Sequence, residues 1–430
     1  MSSRARRASV LATLLIAVLA LAGCGRSEPD DGKVHLRFGW WGSDSRHKAT
    51  AKAIEKFQAL HPDIVVSGEF GDWSGYWDKL ATSVAARDAP DVIQMDEKYL
   101  RDYAARGALL DLKTQADVLD TSKFDTKALK TGETDGGLYG LTTGVNAYSL
   151  VANPALFEAA GVPLPDDTTW TWADYARICR EITEKSPDGV YGCSAYGGTE
   201  VELGVWAHQH GESLYTPDGR VGVRPETVTT YYQQLLNFRD TKANPPASFS
   251  TEEATAPLDQ SGIGTNKTAM GFWWSNQVKA LEGASGSSLK LLRQPSATGR
   301  AADAGMYFKS SMFWSLSAQS EHPREAAMLI DFLVNNPDAG SAIGVDRGVP
   351  SNLEIRAAIT PGLKPTDLGT VQFVEAINPD ISVTPPTPPV GAGVVESIAL
   401  RYTSEVLFDR MTPQEAAEAL VDEIRIATSW

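Results

Sequence analysis

Cysteine is scarce, with three residues among 430. That excludes a small scaffold stapled by disulfides and a multi-cysteine zinc domain. Basic residues are in deficit, 39 against 54 acidic, and the formal net charge is −15. A nucleic-acid binder needs a cationic face to neutralise phosphates, so that class of partner is excluded. There are six histidines and no HExxH. His208-Gln209-His210 sets two imidazoles at i and i+2, which point apart on a helix, so no metal site is read there. Signatures of catalysis are missing as well. SGIGTNKT at 261–268 has Asn266 where a phosphate loop requires Gly, and GCSAYGG has Tyr196 at the second Gly position of GxSxG. No GxGxxG follows a strand. Carboxylate pairs abound in so acidic a chain, so counting them does not decide for or against a glycosidase. No cofactor and no enzymatic activity are expected. The competing reading from another class is a lipid-anchored carbohydrate-active enzyme.

The chain does have apolar and aromatic mass: 42% hydrophobic residues, with 13 Phe, 13 Tyr and 11 Trp. That is enough for a large core, and the length predicts two lobes. The N-terminus reads as an address. Arg4, Arg6 and Arg7 precede a twelve-residue apolar run, Val10 to Leu21, too short for the roughly 20 residues of a spanning helix. Leu21-Ala22-Gly23-Cys24 matches the bacterial lipobox, in which the Cys is acylated and the bond before it is cut. The alternative is an ordinary cleaved signal with a chance Cys. Residues 1–23 are thus read as a lipoprotein signal peptide and 24–33 as a flexible tether. Acyl chains on Cys24 anchor the protein to a membrane surface without spanning it. The other two cysteines, Cys179 in a helical pattern and Cys193 in an apparent strand, lie in an oxidising space. A disulfide between them is predicted, worth roughly 3 kcal/mol. The alternative is two buried free thiols.

Strand and helix alternate from residue 34. VHLRFGWW (34–41), a helix over 44–60 ended by His61-Pro62, a strand from Asp63, a helix over 75–87, the strand VIQM and a helix over 97–106 describe βαβ units on a parallel sheet. Trp40-Trp41, Asp72-Trp73 and Asp96 each fall at the carboxyl end of one of these strands, where open α/β sheets bind ligands. Farther on, Asp218-Gly219 signals a turn between two strands. Pro385-Pro386-Thr387-Pro388-Pro389 reads as an ordered surface connector.

Taken together, these segments resemble the extracellular solute-binding proteins of family 1, the sugar-binding lipoproteins of ABC importers. The resemblance rests on GWWGSDSRHKATAKAIEKFQALHPDIVVSGEF, WSGYWDKLATSVAARDAPDVIQMD, GLYGLTTGVNAYSLVANPALFEAAGV, TWTWADYARI, NKTAMGFWW and RGVPSN at 347–352, in their order and with the lipobox. The WWG…RH opening with the later YWDKL is most similar to the branch handling plant-wall or uronate-type oligosaccharides. The resemblance implies a periplasmic-binding-protein-like α/β fold of two doubly wound lobes. Lobe one would be 34–145 plus 303–346, and lobe two 146–302 plus 347–430. The lobes would close around a carbohydrate by hinge motion, and the closed form would dock on ABC-transporter permease subunits. A monomer is expected. The third reading is a two-lobed binder for a peptide or polyamine.

Indoles stack on the C–H face of a sugar, and planar polar groups take its hydroxyls. By position, Trp40, Trp41 and Trp73 are the stacking candidates of lobe one, with Tyr76 adding a ring or hydroxyl. Asp96 is placed to accept from hydroxyls or to cap the helix after it. Asn146 stands at the crossover. Trp206 and the pair Trp273-Trp274 oppose them, and alternation along a strand allows only one of the pair, preferably Trp274, to face the ligand. Arg347 either reaches the cleft or braces the hinge. Arg46 and His47 are placed to meet a uronate carboxylate or to lie in a solvated first helical turn.

Overall fold

The computed structural model describes residues 31–124, 126–381 and 385–429. The signal segment, Cys24 and the first part of the tether lie outside the described residues. The first sheet is built from strand β1 (Val34–Trp41), helix α1 (Asp44–Leu60), β2 (Ile64–Gly71), α2 (Trp73–Ala85), β3 (Val92–Met95) and α3 (Glu97–Ala105). In α1, Thr50, Ala53, Ile54 and Phe57 are buried, the i, i+3, i+4, i+7 stripe that packs a helix on a sheet. Asp72 and Asp96 cap α2 and α3, accepting from the Gly75 and Lys98 amides. β1 pairs parallel with β2 and β3, as βαβ units require.

A short hairpin, β4 (Glu133–Thr134) and β5 (Gly137–Leu138), leads to β6 (Leu141–Thr142) and β7 (Gly144–Ala152). β8 (Met270–Trp274), β9 (Lys290–Leu292), β10 (Phe308–Ser310), β11 (Phe313–Leu316) and β12 (Val349–Pro350) complete the strands. The first sheet has the order β2-β1-β3-β11-β6, with β11 antiparallel to both neighbours. The second is built around β7. β10 and β12 pair with its first half, β8 and β9 with its second, and all four are antiparallel. Two α/β lobes result, as the sequence leads one to expect. The second is not wound as parallel βαβ units, because each partner of β7 arrives on a returning chain.

The chain passes between sheets at β6–β7, β10–β11 and again before β12. These crossings are tied to one another. The Thr142 and Ser310 hydroxyls lie 2.8 Å apart, Thr143 Oγ1 donates to the Arg347 carbonyl at 2.9 Å, and the Ser311 amide to the Gly144 carbonyl at 2.8 Å. Gly348 has φ +86°, and a Cβ there would lie 2.8 Å from Ser311 Cβ and 2.9 Å from the Val145 carbonyl. Only glycine fits that approach.

The second lobe's core gathers β7 and β8 with helices such as Trp172–Lys185, Glu200–Gln209 and Val395–Leu407. Cys179 and Cys193 are joined in a disulfide with Cα atoms 5.3 Å apart, a normal spacing. The segment around Cys193 is not the expected strand. It meets its neighbour through an isolated bridge from Tyr191 to Thr268 and a bond from the Ser194 amide to the Met270 carbonyl at 2.6 Å, without forming a continuous strand. Likewise, the Asp218-Gly219 turn closes one bridge, Tyr215 to Val221, and not a two-strand hairpin. Among the described residues no helix is long and apolar enough to cross a membrane.

Candidate functional site

The carboxyl ends of β1, β2 and β3 meet the start of β7 and the end of β8 across a cavity of 310 Å³. Its first wall is aromatic. Trp41, the last residue of β1, turns toward the cavity, and Trp73, capped in place by the Asp72 turn, meets it edge-on at 5.1 Å. Trp77 and Tyr76 back Trp41, each with its ring 5.4 Å away. Trp73 is 39% exposed, so its ring is available.

Trp40 does not line the cavity. Successive side chains on a strand point to opposite faces, and with Trp41 turned to the cleft, Trp40 goes into the core, 2% exposed. Its ring lies 4.9 Å from Phe38 and 5.4 Å from Phe70, and its Nε1 donates to His47 Nδ1 at 3.0 Å. His47 therefore faces Phe70, at 4.2 Å, and burial lowers its pKa. Neither residue can reach a ligand in the cavity. Tyr76 is also a support: it is buried, and its hydroxyl donates to the Gln94 carbonyl at 2.7 Å.

Asp96 holds both positions considered for it. Its Oδ1 accepts from the Lys98 amide at the start of α3, and its Oδ2 lies 3.2 Å from Lys309 Nζ at the cavity wall. Asn146, third residue of β7, also lines the wall. Its Nδ2 donates to Ser311 at 2.9 Å, while its buried Oδ1 has no protein partner and remains an acceptor.

In the second lobe, Trp274 lines the cavity, with Tyr148 edge-on at 5.2 Å and Lys309 Nζ 5.2 Å above its ring. Trp273 turns the other way and packs against the small core cluster of Val151, Ile263, Val278 and Leu281. Trp206 is away from the cavity. Its ring packs near Trp172 and Tyr231, and its Nε1 donates to Thr230 at 3.2 Å, because that face of its helix is turned into the lobe's core. Arg347 does not line the cavity. It is 1% exposed, its Nε donates to Gln94 and its Nη2 to Thr50, both at 2.8 Å, and its guanidinium covers the Trp314 ring. Desolvation, with the Arg46 charge nearby, lowers its pKa.

Of the remaining lining residues, only Arg46 was singled out from sequence. Lys98 lies between two carboxylates of the other lobe, Glu200 at 2.8 Å and Glu396 at 2.5 Å. Burial opposes its charge, but those carboxylates outweigh it and hold the ammonium well above its usual range. Lys309 pairs with Asp96 and, at 3.3 Å, with Glu97. Arg46 lines the cavity but is committed to Asp346, with Nε to Oδ2 at 2.6 Å. Thr199, Asn276, Gln277 and Ser311 supply neutral polar groups. The arrangement is two aromatic walls, a rim of planar amides and hydroxyls, and cations already neutralised.

Residues 43–339 match the family of bacterial extracellular solute-binding proteins. A family 1 extracellular solute-binding protein from Alicyclobacillus acidocaldarius is 29% identical with a TM-score of 0.68, the match covering 93% of this chain and 98% of that one. A periplasmic oligogalacturonide-binding protein from Yersinia enterocolitica, solved with saturated digalacturonic acid, is 24% identical with a TM-score of 0.81, over 92% and 99%. An uncharacterized lipoprotein of Streptomyces antibioticus is 31% identical over 187 residues, 43% of this chain and 41% of that one. The chain spans less than two thirds of the length of the curated relatives it matches.

Proposed function

Because the chain belongs to the bacterial extracellular solute-binding proteins, we propose that it is the lipid-anchored substrate-binding subunit of an ABC importer, capturing a neutral sugar between its lobes and carrying it to the permease. The observation behind this reading is the facing of Trp41 and Trp73 by Trp274 across a cavity rimmed by Asn146, Asn276 and Gln277. Rings on both walls suit the two apolar faces of a pyranose or furanose, and amides suit its hydroxyls. A charged ligand such as a cationic peptide or a polyamine favours an acidic lining over stacked indoles instead. The Yersinia protein of similar fold was solved with an acidic disaccharide. Here Arg46, Lys98 and Lys309 are each already paired with a carboxylate. An anionic sugar has to compete with those carboxylates, whereas a neutral one does not. The chain performs no covalent step in this reading. The lobes would divide as expected near residues 145 and 347, but the boundary expected at 303 moves past β10, which pairs with β7 in the second sheet.

Isothermal calorimetry on the chain from residue 25 tests this against neutral sugars, uronate oligomers, peptides and polyamines. Trp41→Ala and Trp274→Ala should each weaken sugar binding about tenfold or more, near 1.4 kcal/mol, while the protein stays folded at the assay temperature, although the loss of packing against Tyr76 and Trp77 lowers the melting temperature of the first. Wild-type affinity in both variants removes the indoles from the site, and binding confined to peptides or polyamines overturns the sugar reading. Separately, Cys24→Ser should release the full-length protein from membranes on fractionation. Retention in the membrane pellet sinks the lipid anchor.

A further inference from the structure

A second chamber, of 440 Å³, adjoins the first, and Val201 and Lys309 line both. Each volume falls within the range of small-molecule sites, about 300–1,000 Å³. The ring series of the first chamber continues into the second. Trp274 meets Tyr307 edge-on at 6.3 Å, and Tyr307 meets His208 edge-on at 5.4 Å. Tyr307 and His208 both line the second chamber, whose far side is the connector Pro385–Pro388. Glu97, Glu200 and Arg101 place polar groups along it.

One residue on its wall has no structural explanation other than the space in front of it. Gly204 is the fifth residue of the helix Glu200–Gln209. Glycine in a helix interior lowers its stability relative to alanine. Its backbone is not in the left-handed region, and a Cβ built there would meet no atom within 4 Å. Neither conformation nor packing requires glycine at this position, yet it is the wall of an open chamber.

Resting on the sugar-binding reading above, we propose that this chamber is a second sugar compartment kept open by Gly204. The ligand is then a neutral oligosaccharide that stacks on Trp274, passes Lys309 and continues along Tyr307.

Calorimetry with malto-, cello-, xylo- and arabino-oligosaccharides of increasing length tests this. Wild-type affinity should rise with chain length. Gly204→Leu should hold the shortest bound sugar within about twofold and weaken the longest about tenfold or more. Thr387→Trp, which fills the chamber from the connector, should show the same length selectivity. It serves as the test if Gly204→Leu fails to fold. Sugar binding that is independent of length, or equal loss at every length in both variants, overturns the second compartment alone. A wild type that binds no sugar overturns the sugar reading and the compartment with it.

Discussion

Glu202 lies one turn into the helix Glu200–Gln209, with both oxygens in use. Oε2 accepts from the Thr199 amide and hydroxyl in a capping box, and Oε1 accepts from the Tyr148 hydroxyl at 3.1 Å. Burial nevertheless dominates and raises its pKa from 4.5 to about 7. The folded chain therefore holds this proton more tightly than the unfolded one. Its contribution to stability is full below pH 4.5, falls as pH rises from 4.5 toward 7, and stays low above that. At about 1.4 kcal/mol per pH unit, the loss is roughly 3 kcal/mol. Glu202→Gln keeps an acceptor for Thr199, and Gln is accepted at this place in a capping box. Urea unfolding from pH 5 to 8 should show the variant gaining on the wild type as pH rises. A difference between the two proteins that does not change with pH refutes this account.

At the scale of elements, the units that are continuous in sequence were readable from it. β1 to α3 alternate strand and helix in unbroken sequence, with a helical stripe in α1, and the strand ends bearing Trp41, Trp73 and Asp96 do meet at one cavity. What sequence could not supply came from partners far along the chain. Lys98 reads as a surface charge until Glu200 and Glu396 are brought to it from other helices. Lys309 reads the same way until β10 pairs with β7. Trp40 and Trp41 are equivalent candidates until one face of β1 is known to be covered by α1 and Phe70. Applying strand alternation to that pair, as to Trp273 and Trp274, would have excluded one of them. Gly204 was not read from sequence; its signal, a glycine inside a helix, appears once the structure gives the helix Glu200–Gln209. It costs that helix about 1 kcal/mol relative to alanine, against which the Thr199 capping box stabilises the same helix.

At the scale of the molecule, the pairs that Lys98 makes with Glu200 and Glu396 exist only while the lobes are together. If they latch closure, removing the ammonium releases the lobes. Lys98→Gln should shift the unliganded protein toward an open form and weaken ligand binding about tenfold. Small-angle X-ray scattering checks this: the variant's radius of gyration should exceed the wild type's without ligand and match it at saturation. Identical scattering in both states would show that Lys98 does not hold the lobes. The strand order β2-β1-β3-β11-β6 has a separate consequence for how the protein is made. β3 ends at Met95 and β6 at Thr142, but the strand that belongs between them, β11, comes only at Phe313–Leu316. A nascent chain that has emerged as far as residue 300 has no complete sheet in its first lobe. The first lobe's sheet therefore closes only once Phe313–Leu316 has been made, so its assembly waits on the last third of the chain.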